Sequence, residues 1–235
     1  MRLLRGDGPL LRIGHRGAAA LAPENTIEAV EAALEHGVDH VELDVFAGRD
    51  GKLVLGHSRR ELADEPVALD EMLAFLADRA PELGVLADLK FAGKERALVE
   101  ALRAHGFTER ALACTSHVVA LRNLNRLEPA LARSRTHPHG HVHLGGHRTF
   151  IPVSGPVRWA LRGALQYRVR DLVEEVGASA MTLNHRVVTR AAVDRCHELG
   201  VAVFAWTVND PELARRLDEL GVDGVITDDP RVLVR

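Results

Sequence analysis

Apolar residues fall in short continuous runs along this chain, and most runs are entered through a helical pattern that ends in glycine. Such joints stand at Gly37, Gly84, Gly106, Gly177, Gly200 and Gly221, ahead of runs at 41–45, 85–89, 111–114, 180–183, 201–208 and 225–227. Glycine just past a helix end adopts the left-handed conformation that stops the helix. Continuous apolar runs fit strands covered on both faces. A further strand is expected around Leu10, Leu11 and Ile13, and an eighth, poor by pattern, at 130–134. Repeated βα units imply a parallel sheet, and eight of them in this length predict a (β/α)₈ TIM barrel, α/β in class, as one domain over residues 1–235. A doubly wound open sheet is the runner-up. Its strongest signal, Gly-x-Gly-x-x-Gly after the first strand, is absent.

One joint differs. After Val45-Phe46 the chain reads Ala47-Gly48-Arg49-Asp50-Gly51-Lys52, then Leu53-Val54-Leu55-Gly56-His57. Asp-Gly between apolar runs predicts a β-hairpin after strand 2. With Asp50-Gly51 as the turn, Asp44 faces His57; with Arg49-Asp50, Glu42 does. Side chains alternate along a strand, so either register puts Glu42, Asp44 and His57 on one face. Farther on, the segment 135–172 is the least regular. Its histidines at 137, 139, 141, 143 and 147 could form a metal face, but Pro138 and Gly140 interrupt any strand and no acid or thiol completes a set. A solvated loop over the barrel mouth is the expectation there. Residues 157–173 read as an arginine-rich amphipathic helix belonging to a lid.

The 235 residues suffice for a substantial core. A net charge of −3 and a pI of about 6.5 give no case for nucleic-acid or general membrane binding. Cys114 and Cys196 lie in apolar segments and are expected as buried thiols rather than a disulfide. No run is long enough for a signal peptide or a membrane helix, so a cytoplasmic protein without stable membrane insertion is expected.

The chemistry clusters early. His15-Arg16-Gly17 ends the first strand, and a helix begins after Pro23-Glu24-Asn25-Thr26, with Ile27, Val30 and Leu34 on its apolar face. Glu42 and Asp44 sit at i and i+2 on a core strand and point together. Two such carboxylates would repel without a partner, and a hard divalent cation supplies one. Asp88 ends another apolar strand with Lys90 on the same face, as a third ligand and a phosphate-binding cation or as a local ion pair. Two histidines, a cation, an arginine and a lysine suit phosphoryl chemistry, one imidazole taking a proton from the nucleophile and the other giving one to the leaving alkoxide. His57 is assigned the acid, because His15 stands beside Arg16, where phosphate and nucleophile are expected.

His15-Arg16-Gly17, Pro23-Glu24-Asn25-Thr26, Glu42-Leu43-Asp44, His57, Trp206-Thr207-Val208-Asn209 and Gly221-Val222-Asp223-Gly224-Val225-Ile226-Thr227-Asp228 together closely resemble the glycerophosphodiester phosphodiesterase family. The likeness runs from about residue 12 to the C-terminus, with a gap over roughly 137–180. It implies a (β/α)₈ barrel that hydrolyses small-molecule glycerophosphodiesters to glycerol 3-phosphate and an alcohol with a divalent cation, Mg²⁺ or Ca²⁺, with Mn²⁺ as a further candidate. It implies His15 and His57 as the acid–base pair, Glu42, Asp44 and Asp88 as metal ligands, Arg16 and Lys90 on the phosphate, and Trp206 lining the pocket. The chain departs from the family in three places: Asp88 stands where Glu is usual, Ser58 follows His57 where Asp is usual, and 58–66 leaves little or no insertion domain. The alternatives are a lysophospholipase D or sphingomyelinase D-like phospholipase on the same barrel, and a non-catalytic phosphodiester-binding protein. The second would be favoured by loss of one histidine, and both are present.

Overall fold

The structure, a computed structural model, describes residues 1–48, 50–138, 142–144, 147–149 and 155–233. Its strands are β1 (Leu11–His15), β2 (His40–Ala47), β3 (Leu53–Leu55), β4 (Gly84–Leu89), β5 (Ala111–Thr115), β6 (Ala132–His137), β7 (Val142–Leu144), β8 (His147–Thr149), β9 (Ala180–Asn184), β10 (Ala202–Trp206) and β11 (Gly224–Thr227). Eight of them pair in parallel in the order β1-β2-β4-β5-β6-β9-β10-β11, and β11 returns to β1. The result is the closed (β/α)₈ barrel that the helix–glycine–strand joints predict. Helices α1 (Ile27–Glu35), α2 (Leu69–Arg79), α3 (Glu95–Ala104), α4 (Val118–Leu127), α5 (Gly155–Glu174), α6 (Arg190–Glu198) and α7 (Pro211–Glu219) connect the strands. None of the described helices is long and apolar enough to cross a membrane.

The barrel interior has two layers. Toward the N-terminal ends, Leu11, Ile13, Leu86, Leu112, Ala180, Ala202, Phe204 and Ile226 form one buried apolar cluster. Two residues farther along the same strands the side chains are polar: His15 after Ile13, Asp88 after Leu86, Thr182 after Ala180. Alternation keeps both members of each pair on the inner face. The apolar layer plugs the barrel, and the polar layer lies at the C-terminal ends of the strands, where this fold carries its chemistry.

Several sequence expectations change. Gly37, Gly106, Gly177, Gly200 and Gly221 have positive φ as helix stops do, but Gly84 is not among them. It opens β4, where an added Cβ would lie 2.5 Å from His40 Nδ1. The poor eighth strand is real but sits later, at β6. Its pattern is weak because Ser134 and Thr136 face the polar interior, while Arg133 and Arg135 turn outward to backbone carbonyls and Glu175. From Arg162 onward, α5 is an ordinary barrel helix rather than a lid, with Leu165, Val169 and Leu172 buried in the core that holds α6. β7 and β8 pair as a small antiparallel hairpin within the expected mouth loop. The rest of that loop, at 139–141, 145–146 and 150–154, lies outside the described residues, and so does Arg49. Cys114 and Cys196 are free and buried, as expected.

Candidate active site

The site begins with a backbone fold. β1 ends at His15, and Arg16 takes φ +52°, a region non-glycine residues seldom occupy. Gly17 follows at φ +88°, and an added Cβ would come within 2.6 Å of the Ala29 carbonyl carbon. This turn presses against α1, whose first turn is capped by Thr26 Oγ1 accepting from Ala29 N at 3.2 Å. Gly17→Ala should therefore cost about 2 kcal/mol or more through both strain and overlap. Denaturant unfolding measures it, and an unchanged midpoint would show that the turn is not tightly packed.

The hairpin delivers His57 as expected, but by another route. β2 and β3 pair Val45 with Leu55, Phe46 with Val54 and Ala47 with Leu53, a register between the two considered from sequence. Continued regularly, it would turn His57 away from the carboxylates. The strand ends at Leu55 instead. Gly56 breaks it, donating to Asp44 O at 2.9 Å, and His57 swings inward until Nδ1 lies 3.0 Å from Asp44 Oδ2. Alternation was thus the wrong reason for a correct placement.

The acids come from adjacent strands. β1 pairs with β2 so that His15 neighbours Glu42, and β2 with β4 so that Asp44 neighbours Asp88. Oxygen atoms of Glu42, Asp44 and Asp88 all lie within 4.8 Å of one another. Burial first, and then the Asp44 charge, push Glu42 up to about 8. Asp44 is held well below the usual carboxylate range: burial opposes this, but the His57 hydrogen bond and the charges of Lys90 and Arg16 outweigh it. Lys90 Nζ sits 2.5 Å from both Asp44 Oδ1 and Asp88 Oδ2. The ammonium thus bridges the two carboxylates. Three convergent hard carboxylates, two of them buried, fit a divalent cation.

Each histidine is tied through Nδ1 to an aspartate. His15 Nδ1 lies 2.5 Å from Asp228 Oδ1, and its Nε2 lies 3.8 Å from Glu42 Oε2. Burial works to lower the His15 pKa, yet the Asp228 bond and the Glu42 charge raise it overall. His57 Nδ1 lies 3.0 Å from Asp44 and also 3.1 Å from Arg16 Nη2. It cannot donate to one and accept from the other at once, and the anionic Asp44 favours donation. Both Nε2 atoms are then left for proton transfer. Arg16 is fixed by Glu24 at 2.6 Å and by Asp44 at 2.9 Å. Trp206, last in β10, donates Nε1 to Thr182 O at 3.3 Å and lines the same cavity as His15, Arg16, His57 and Asp88, about 350 Å³ in volume.

The structure thus brings all the expected site residues together and adds three that sequence reasoning left without a role. Asp228 follows β11 and orients His15, while Asn209 Nδ2 holds Asp228 Oδ2 at 2.5 Å. Asn25 grips Asp44 twice, its Oδ1 accepting from Asp44 N at 3.0 Å and its Nδ2 donating to Oδ2 at 3.4 Å. The available signal was an acid directly after an apolar run at Asp228, the pattern that singled out Asp88.

The sequence matches the glycerophosphoryl diester phosphodiesterase family over residues 15–68 and 145–232. It is 28% identical over 258 residues to the glycerophosphodiester phosphodiesterase of Caldanaerobacter subterraneus subsp. tengcongensis, covering 95% of this chain and 96% of that protein. A glycerophosphodiester phosphodiesterase structure from Parabacteroides distasonis superposes with a TM-score of 0.72 at 21% identity, covering 94% of each chain. A phosphodiesterase from Oleispira antarctica, in complex with the product sn-glycerol-3-phosphate, gives 0.70 at 21% identity, again covering 94% of each chain. These structures share the barrel.

Proposed function

The chain belongs to the glycerophosphoryl diester phosphodiesterase family, and from that premise we propose how its residues divide the hydrolysis of a glycerophosphodiester to glycerol 3-phosphate and an alcohol. The protein is a phosphoric diester hydrolase. The observation that carries the division is the pair of histidines, each oriented through Nδ1 by an aspartate, on either side of a three-carboxylate cluster.

Glu42, Asp44 and Asp88 would hold the divalent cation, Mg²⁺ or Ca²⁺, or Mn²⁺. When bound, that cation supplies charge stabilisation to the phosphate oxygens. Arg16 and Lys90 add fixed positive charge at the same face of the phosphate. Asp88 reaches one methylene less than a glutamate, and Lys90 Nζ stands against it. His15 takes the proton of the attacking group through Nε2. His57 gives a proton to the leaving alcohol. Its side chain is 41% exposed against 17% for His15, which suits the half of the substrate that departs to solvent. Trp206 walls the pocket. The Oleispira antarctica protein was captured with sn-glycerol-3-phosphate, and the same product class is assigned here.

A hydrolysis panel of glycerophosphodiesters and lysophospholipids tests this reading, run with Mg²⁺, Ca²⁺ or Mn²⁺ and against chelator. Cation-dependent release of glycerol 3-phosphate is expected, and turnover that survives exhaustive chelation refutes the cation. Asp228→Asn should lower kcat by at least about tenfold with KM little changed, because the wrong His15 tautomer becomes available. A shifted pH profile should accompany the loss. A wild-type rate and profile would reduce Asp228 to a structural residue.

A further inference from the structure

We infer that Asn25 and Asn209 are positioning residues, each setting one histidine through an aspartate held between them. The inference rests on His15 and His57 as the proton carriers, as proposed above.

The two asparagines are placed alike. Asn25 directly precedes Thr26, the N-cap of α1, and Asn209 directly precedes Asp210, the N-cap of α7. Each reaches an aspartate 19 residues on, at the next strand: Asp44 within β2 and Asp228 just past β11. The bonds are alike as well. Asn25 Oδ1 accepts from Asp44 N at 3.0 Å, and its Nδ2 donates to Asp44 Oδ2 at 3.4 Å. Asn209 Oδ1 accepts from Asp228 N at 2.9 Å, and its Nδ2 donates to Asp228 Oδ2 at 2.5 Å. Each aspartate then meets an imidazole Nδ1 carried by the strand beside it, His57 after β3 and His15 at the end of β1. One three-part unit of asparagine, aspartate and histidine thus occurs twice in succession around the barrel mouth.

An amide side chain offers a donor and an acceptor at one end. Gripping both the backbone N and a carboxylate oxygen of one aspartate, it leaves that side chain little freedom to rotate. A carboxylate so fixed accepts the Nδ1 proton from one direction, which sets the plane and the tautomer of the ring. Among the described residues, no side-chain hydrogen bond joins a member of one unit to a member of the other. Groups without a shared partner act independently. Asn209 should therefore serve His15, and Asn25 should serve His57.

Double-variant cycles test this, read as kcat at saturating cation on the diester turned over fastest in the panel above. Asn209→Ala should lower kcat by about tenfold, and so should Asn25→Gly, which accepts the φ of +61° found there. In a His15→Ala background Asn209→Ala should cost little more, while in a His57→Ala background it should cost its full tenfold. Asn25→Gly should show the reverse. A general loss of structure would cost the same in both backgrounds. Asn209→Asp and Asn25→Asp keep the acceptor but not the donor, and should repeat the pattern in a fold left intact. Losses that multiply in both backgrounds, coupling to the wrong histidine, or wild-type rates for either asparagine variant overturn the proposal. If His15→Ala and His57→Ala themselves keep wild-type rates, the proton-carrier reading falls, and the asparagine roles with it.

Discussion

His15→Ala and His57→Ala should each lower turnover on a natural diester by on the order of 10²-fold or more at saturating cation, with cation affinity largely kept. Both imidazoles line the cavity while Nδ1 is held by an aspartate, the arrangement a proton carrier needs. The two losses should separate on a substrate whose leaving group departs without a proton. A nitrophenyl ester should be nearly indifferent to His57→Ala and still slow with His15→Ala. The reverse outcome exchanges the two roles. Near-normal rates for both variants on the natural diester would leave the site working by cation and fixed charge alone.

Glu42→Gln and Asp44→Asn should both weaken cation binding, but they should not respond alike to added cation. Outside the carboxylate cluster, Glu42 accepts from Arg16 N at 3.0 Å and faces His15. A glutamine keeps the first of these contacts, so excess cation should restore a large part of the activity of Glu42→Gln. Asp44 holds more. Its carboxylate meets His57, Arg16 and Lys90, and its charge selects the His57 tautomer. Asp44→Asn should therefore stay depressed by about tenfold or more at any cation concentration. Isothermal titration with the cation, paired with rates across the same concentrations, reads both effects. Full rescue of Asp44→Asn would confine that residue to cation binding.

The barrel was legible because its signals are local. A glycine stop and an apolar run occupy a dozen residues, and each repeat declares itself. β6 was hard to read because its inward residues face the polar layer, so burial there does not show as hydrophobicity. His57 was placed correctly although its register was not, since the break at Gly56 depends on how the following turn packs: an added Cβ at Gly56 would meet Leu62 Cδ2 at 2.5 Å. Glu42, Asp44 and Asp88 stood out because acids in apolar strands need a reason. Asp228 did not, because Asp228-Asp229 reads as ordinary turn chemistry, and Asp229 does cap the short helical turn after it. What sets Asp228 apart is a partner at the other end of the chain, which no local pattern reports.

That separation bears on how the enzyme becomes competent. The bond that orients His57 spans 13 residues, and the one that orients His15 spans 213. Closing a longer loop costs more chain entropy, and contacts distant in sequence are the slow ones to form. One histidine is thus set by a hairpin, and the other only when the first and last strands meet along the β1–β11 seam. On the division of labour proposed above, turnover is a readout of ring closure. Fraying at the chain ends would silence turnover while the hairpin, Asp44 and His57 stayed in place.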